Sequence, residues 1–97
     1  MEGPALLAAL LELADDVGLR VERVGAQPAL DGLSPGSSAV CRLRGATVVF
    51  LSDSDPLATR VRTLARGLRD HSGDALEERF LAPALRACLD AAGENPL

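Results

Sequence analysis

The segment TVVFLSDSDPLATRVRTLARGLRDH, at positions 47–71, constrains the fold of this chain more than any other. Its first five residues are apolar or β-branched on both faces, which is typical of a strand at the centre of a sheet. The SDSDP that follows is a helix start signal, in which Asp55 caps the helix and Pro56 takes its first position. Apolar residues then recur at helical spacing, at positions 57, 58, 61, 64, 65 and 68. We therefore predict a buried strand that leads directly into an amphipathic helix.

The N-terminal part of the chain predicts one helix and one strand. Apolar residues at three- and four-residue spacing indicate a helix over residues 4–17, and Gly18 suits the position just past its end. Alternating apolar and charged residues then indicate a short half-buried strand at residues 19–23.

The central part of the chain predicts a hairpin that follows a long loop. Strands over residues 38–43 and 47–51 are joined tightly around Gly45, which can adopt the positive φ that such a turn needs. The preceding segment, residues 25–38, is rich in Gly, Pro and Ser and predicts a flexible loop. A loop of this length in so small a chain is either functional or mobile.

The C-terminal part predicts a third helix and completes the fold class. Asp74 and Glu77 resemble a capping box that opens a helix reaching residue 92, and Pro83 should kink this helix or divide it in two. Residues 94–97 form a loose tail. The order α-β-β-β-α-α over a single domain, residues 1–97, predicts an α+β fold with a small three-stranded, mostly antiparallel sheet packed with helices.

Composition excludes several classes of function. The net charge is −4 and aromatic residues make up 2%, so we expect no nucleic-acid partner, which needs a positive field and stacking side chains. The absence of lysine removes Schiff-base and P-loop chemistry. The chain has no apolar run of about 18 residues and no signal-peptide pattern, so we expect no membrane partner and a cytoplasmic location. Cys41 and Cys88 are expected to be buried free thiols, although a disulfide between them stays open at this point.

One cluster of titratable residues suggests hydrolytic or metal chemistry, and its alternative explanation is structural. His71 lies near Asp70 and the pair Glu77 and Glu78, a set that can bind a cation. However, capping and surface exposure explain the glutamates, and His71 lies at a predicted helix end, where a cation is favourable. A single imidazole without a second one at i+4 is a weak ligand set. The residues themselves therefore favour no metal and no cofactor.

Two short motifs resemble those of the IrrE-like (ImmA/IrrE) zinc metallopeptidase domain. RVRTLARGLRD at 60–70 is similar in spacing to the family's Leu-Ala-His-Glu-Leu-Gly-His helix, and LEERFLAP at 76–83 is similar to its later acidic helix. The family's first histidine would correspond to Arg66, its general-base glutamate to Gly67 and its second histidine to Asp70. Since none of these supplies the zinc ligands or the base, the resemblance implies a metal-free, non-catalytic relative with a partner protein.

We therefore predict a non-catalytic domain that acts through protein–protein contact, in a regulatory role, and that forms a homodimer. The two-sided apolar strand motivates this prediction, because few elements are available to cover both faces of the sheet. Two alternatives remain, a divergent hydrolase that uses Asp70, His71 and Glu77/Glu78, and an acidic chaperone-like helper protein. The candidate partner-binding residues are three arginines of the second helix and two apolar residues of the strand: Arg62, Arg66, Arg69, Val48 and Phe50.

Overall fold

A computed structural model describes residues 2–24 and 38–94 of the chain. The order of elements confirms the predicted α+β class. The predicted loop, apart from Ser38, lies outside the described residues, and so does the predicted tail apart from Glu94, which ends a helix. The elements are α1 (Gly3–Val17), β1 (Arg20–Val24), β2 (Ala39–Leu43), β3 (Ala46–Ser52), α2 (Leu57–Glu78) and α3 (Pro83–Glu94). Within the two described ranges, no helix is long and apolar enough to cross a membrane.

The sheet has the order β1-β3-β2, so β3 is central, as its two-sided apolar pattern predicts. β2 and β3 form the predicted antiparallel hairpin, and both Arg44 and Gly45 have positive φ in its turn. β1, in contrast, pairs with β3 in parallel, so the sheet is mixed. Alternation along a strand indicates which side chains share a face but carries no information on strand direction.

Helix α2 lies on the face of β3 that carries Val49. An ideal Cβ built on Gly67 would lie 2.2 Å from Cγ2 of Val49, so the helix backbone approaches the strand more closely than any residue with a side chain would allow. The predicted apolar stripe of α2 is confirmed, since Val61, Leu64 and Leu68 are buried. Ala58 is the exception and is exposed.

The core lies between this helix, the sheet and the other two helices. Helices α1 and α3 both contact α2, and α1 also contacts β1. One hydrophobic cluster joins all of these elements, and its most deeply buried large side chains are leucines and one valine: Leu10, Leu64, Leu68, Leu76, Leu89 and Val49.

The predicted start of the second helix is wrong in detail. Pro56 is the N-cap residue and not the first helical residue, and no side chain caps the helix. Asp55 does not cap because its carboxylate accepts a hydrogen bond from the Ser38 backbone N–H at 2.7 Å. That bond holds the pKa of the Asp55 carboxyl below its ordinary value. The Ser38 hydroxyl in turn accepts a hydrogen bond from the N–H of Ser52, so this network fixes the start of β2 to the end of β3.

The predicted boundary between the second and third helices is confirmed in part, because the helical segment that follows the break belongs to α2. The helix breaks at Ser72, whose φ and ψ of −141° and 37° are not helical, so α2 consists of two helical segments that meet at a kink just before Asp74, where the sequence predicts a new start. The run from Asp74 is divided in two, as predicted for Pro83: α2 ends at Glu78, and Pro83 is the first residue of α3, where its missing N–H costs nothing. The break between the helices is stabilised by Arg86, whose Nη2 donates to the carbonyl oxygens of Leu76 at 3.1 Å and Arg79 at 3.0 Å.

The Gly67 contact predicts opposite effects for two glycines of the same helix. A Cβ at Gly73 would meet no atom within 4 Å, so Gly73→Ala should be neutral or stabilising by up to about 1 kcal/mol. Gly67→Ala should be less stable than Gly73→Ala by about 1–3 kcal/mol, the usual cost of overpacking. Urea unfolding of both variants measures the difference. Much of the Gly67→Ala loss should disappear in a Val49→Ala background, and equal stability of the two alanine variants would contradict the close packing.

The buried stripe of α2 makes a second stability prediction. Leu64 is fully buried in the main cluster, so Leu64→Ala should lower the free energy of unfolding by about 2–5 kcal/mol. Thermal or urea unfolding tests this expectation. A loss below about 0.5 kcal/mol is typical of surface positions and would mean that the helix does not present Leu64 to the sheet.

Candidate functional site

The candidate site is the side of the sheet opposite to the helices, here called the outer face. Side chains alternate along a strand, so Val48 and Phe50 point away from Val49 and α2. Accordingly, neither belongs to the main hydrophobic cluster, which does contain Val49 and Leu51. The strand register places further residues of β1 and β2 on the same side, and the outer face includes Arg20, Glu22, Ala39, Cys41, Leu43, Ala46, Val48, Phe50 and Ser52.

The outer face is apolar across two of its three strands. Val48, at the centre of the face, is buried, with 4% of its surface exposed, so the accessible apolar part of the face lies around it. Phe50 and Cys41 are half-buried, and Leu43 is 51% exposed. Partly exposed apolar side chains of this kind, grouped on one face and away from the core, are typical of a surface that contacts another protein.

The charges on the outer face compensate each other. Arg20 and Glu22 lie on β1, and Nε of Arg20 is 2.7 Å from Oε2 of Glu22. The described residues of this face therefore carry no net charge, although the chain as a whole carries −4. The pair is exposed, so its contribution to stability is small, and its importance lies in leaving the face neutral.

The three candidate arginines of α2 do not form one binding surface with Val48 and Phe50. Arg62 and Arg66 are exposed on a helix that lies on the other side of the sheet. Arg69 is held within the molecule, since its Nη1 lies 3.7 Å from Oε1 of Glu77 and 3.7 Å from Oδ1 of Asp90. Arg69 therefore joins α2 to α3, while Arg62 and Arg66 make no ion pair with the side chains of residues 2–23 and 38–92.

The residues of the hydrolase alternative are engaged in separate contacts. Nε2 of His71 donates a hydrogen bond to the carbonyl oxygen of Val17 at 3.1 Å. Asp70 lies 3.5 Å from Nη2 of Arg42 and accepts a hydrogen bond from the Thr47 hydroxyl.

The glutamates of that alternative are also dispersed. Glu77 pairs with Arg69 and Arg86, and Glu78 is exposed. A shallow polar depression at the bend of α2 does bring Asp70, His71 and Asp74 together. Nevertheless, no group of three or more His, Cys, Asp or Glu side chains within the described residues could hold a metal ion.

The two cysteines are free thiols on different layers of the molecule. Cys41 lies on the outer face of the sheet, whereas Cys88 lies on α3 in the helical layer, and both are half-buried. Burial raises the pKa of the Cys88 thiol, so this group is neutral at physiological pH.

One feature was missed by reasoning from the sequence. An apolar cavity of about 440 Å³ lies among the three helices, and its lining combines small and aliphatic residues with one thiol and one arginine. The lining residues come from the first turns of α1 and α2 and the last turns of α3: Gly3, Leu6, Leu57, Ala58, Val61, Arg62, Cys88, Ala91 and Ala92. The only signal in the sequence was the group of small residues at positions 3, 58 and 91, which gives no indication of a cavity until the helices are packed.

A scan of protein-family models and searches of curated proteins and of solved structures give no match to this chain. The resemblance to the IrrE-like metallopeptidase domain therefore rests on the short motifs alone and stays a prediction. The structure adds one physical fact about it. Gly67, at the position that corresponds to the general-base glutamate, is buried against Val49 and has no room for a side chain.

The dispersed carboxylates and histidine make a prediction about metal content. Purified protein should contain no stoichiometric zinc, and EDTA should leave the melting temperature unchanged, because a metal that binds only the folded state would stabilise it. Elemental analysis and thermal unfolding with and without EDTA test this, and His71→Ala should change neither result. About one zinc ion per chain, lost in His71→Ala, would show that His71 is a metal ligand.

Proposed function

We propose that this protein is a non-catalytic protein-contact domain that forms a homodimer through the outer face of its sheet. The observation that carries the proposal is the apolar set on this face, outside the main hydrophobic cluster. A reducing compartment such as the cytoplasm suits the proposal, because two free thiols persist there.

A second copy is the occupant that the charges favour. The chain carries −4, so two copies repel each other across most surfaces. On the outer face, Arg20 and Glu22 cancel, and the rest of the described face is uncharged. A two-fold axis also allows the same patch to serve both copies, which is the commonest arrangement of homodimers.

The size of the outer face limits the strength of this dimer. The longest strand has seven residues, so the face is about 23 Å long at roughly 3.3 Å per residue and about 14 Å wide across three strands. This is roughly 300 Å² in projection, and side-chain relief increases the accessible area by less than a factor of two. Two copies would therefore bury no more than about 1,200 Å², the lower limit of stable complexes, so we expect micromolar affinity.

The competing occupant is the chain's own segment of residues 25–37. It joins β1 to β2 and contains Leu30 and Leu33, two apolar residues able to cover a sheet face. This segment lies outside the described residues. If it covers the outer face, the protein stays monomeric, so the oligomeric state distinguishes the two occupants.

Sedimentation equilibrium tests the homodimer. The wild-type protein should show a concentration-dependent mass that approaches twice 10.1 kDa at micromolar concentration. Leu43→Glu should abolish dimerisation, because it places two carboxylates in the apolar contact, and the half-exposed position should keep the monomer folded. A 10.1 kDa species that persists at high concentration would reject the dimer and favour the segment as the cover.

A matched control is available at Phe80. This residue is 96% exposed in the connection between α2 and α3, so Phe80→Glu makes an equivalent apolar-to-acidic change away from the sheet. The proposed dimer should tolerate it. If Phe80→Glu dissociates the dimer and Leu43→Glu does not, self-association occurs through the helical layer and the proposed surface is wrong.

A further inference from the structure

The cavity among the three helices has the size and shape of a small-molecule site. Its volume of about 440 Å³ falls within the usual range for such sites, roughly 300–1,000 Å³. Walls come from α1, α2 and α3, so the space is a compact hollow and not a groove along one helix. A partner helix would need a longer groove, with anchors over at least two turns.

The walls of the cavity define what can bind there. Most lining side chains are aliphatic or small, and the Cys88 thiol is neutral at physiological pH because burial raises its pKa. Such walls favour an aliphatic chain, since burying each methylene group is favourable and the aliphatic wall groups need no polar partner.

Arg62 supplies the single charge among the described residues of the cavity wall. Among residues 2–23 and 38–92, whose side chains the structure describes, no carboxylate lies within ion-pair distance of Arg62, whereas Arg69 of α2 and Arg86 of α3 both pair with Glu77. The lining residues that the structure describes include no acidic side chain. An arginine that is unpaired at the edge of an apolar hollow is complementary to a ligand with one anionic head.

We infer that this cavity binds a medium-chain monocarboxylate, with the alkyl chain among Leu57, Val61 and Cys88 and the carboxylate at Arg62. The inference concerns a different surface from the proposed dimer contact and does not depend on it. Accordingly, the monomeric Leu43→Glu variant should bind the carboxylate as the wild-type protein does.

The two cysteines allow the site to be observed directly. In a Cys41→Ser background, Cys88 is the only thiol. Octanoate should slow the alkylation of Cys88 by N-ethylmaleimide by about tenfold at ten times its Kd, because protection follows occupancy. Alkylation of Cys88 at the same rate with and without saturating octanoate would overturn the inference.

Two ligand series separate the contributions of the chain and the head. From hexanoate to octanoate, affinity measured by titration calorimetry should rise about fourfold for each added methylene group. Octanol and octylammonium should bind more weakly than octanoate. Equal affinity for octylammonium and octanoate, or affinity that does not depend on chain length, would contradict a site made of an apolar hollow and one cation.

Matched variants test the named residues. Arg62→Ala should weaken octanoate binding by about tenfold, the usual scale for a lost charge-assisted hydrogen bond, and Arg62→Lys should restore part of it. Arg66→Ala removes the same charge from an exposed position outside the cavity and should have little effect. If both alanine variants weaken binding equally, the effect is one of net charge and the proposed head-group site is wrong.

A second pair of variants fills the cavity without altering a charge. Ala91 and Ala87 are both exposed on α3, but only Ala91 lines the cavity. Ala91→Phe should abolish octanoate binding, while Ala87→Phe should leave it unchanged. Octanoate binding that survives Ala91→Phe would place the ligand elsewhere.

Discussion

The close contact between Gly67 of α2 and Val49 of β3 is the constraint on which the rest of this structure depends. The helix backbone lies so near the strand that a Cβ at Gly67 would be 2.2 Å from Cγ2 of Val49. This contact fixes the helical layer on one face of the sheet, and α1 and α3 then pack around α2. Because side chains alternate along β3, the same contact directs Val48 and Phe50 to the outer face. The packing of the core and the proposed interaction surface therefore have one physical origin.

The contact between Gly67 and Val49 also limits which side chain can occupy position 67. In the metallopeptidase family that this chain resembles, the position of Gly67 would carry the general base, but here a side chain at that position would force the helix away from the sheet. The acidic residues near this position, Asp70 and Glu77, form ion pairs with arginines of other elements. Glu77 pairs with two arginines, and Asp70 pairs with Arg42 of β2. These ion pairs connect separate elements of the fold, α2 to α3 and α2 to β2.

Local patterns in the sequence predicted much of the fold. The extent of α1, the hairpin turn at Gly45, the central place of β3 and the buried stripe of α2 all follow from periodicity and turn chemistry. Non-local contacts decided the rest. Asp55 does not cap α2 because its carboxylate accepts a hydrogen bond from the backbone N–H of Ser38, which lies far from it in sequence. The parallel direction of β1 depends on a crossover that no strand pattern encodes.

The same distinction applies to the candidate sites. Val48 and Phe50 could be assigned to one face from alternation alone, and the register confirms that they share it. The ion pair between Arg69 and Asp90 could not be predicted from the sequence, because it depends on how α3 packs beside α2. The cavity at Arg62 was missed for the same reason, since its walls come from three helices whose relative placement is set by the core.

Isotope-filtered NMR on a mixture of labelled and unlabelled protein tests the central claim most directly, because it identifies the atoms of one copy that lie beside those of another. Contact through the outer face predicts intermolecular signals between the ring of Phe50 and the methyl groups of Leu43, which are the accessible apolar groups of this face. Their absence at concentrations well above the dissociation constant, or intermolecular signals from Phe80 and the helical layer alone, would contradict an interface built on the outer face of the sheet.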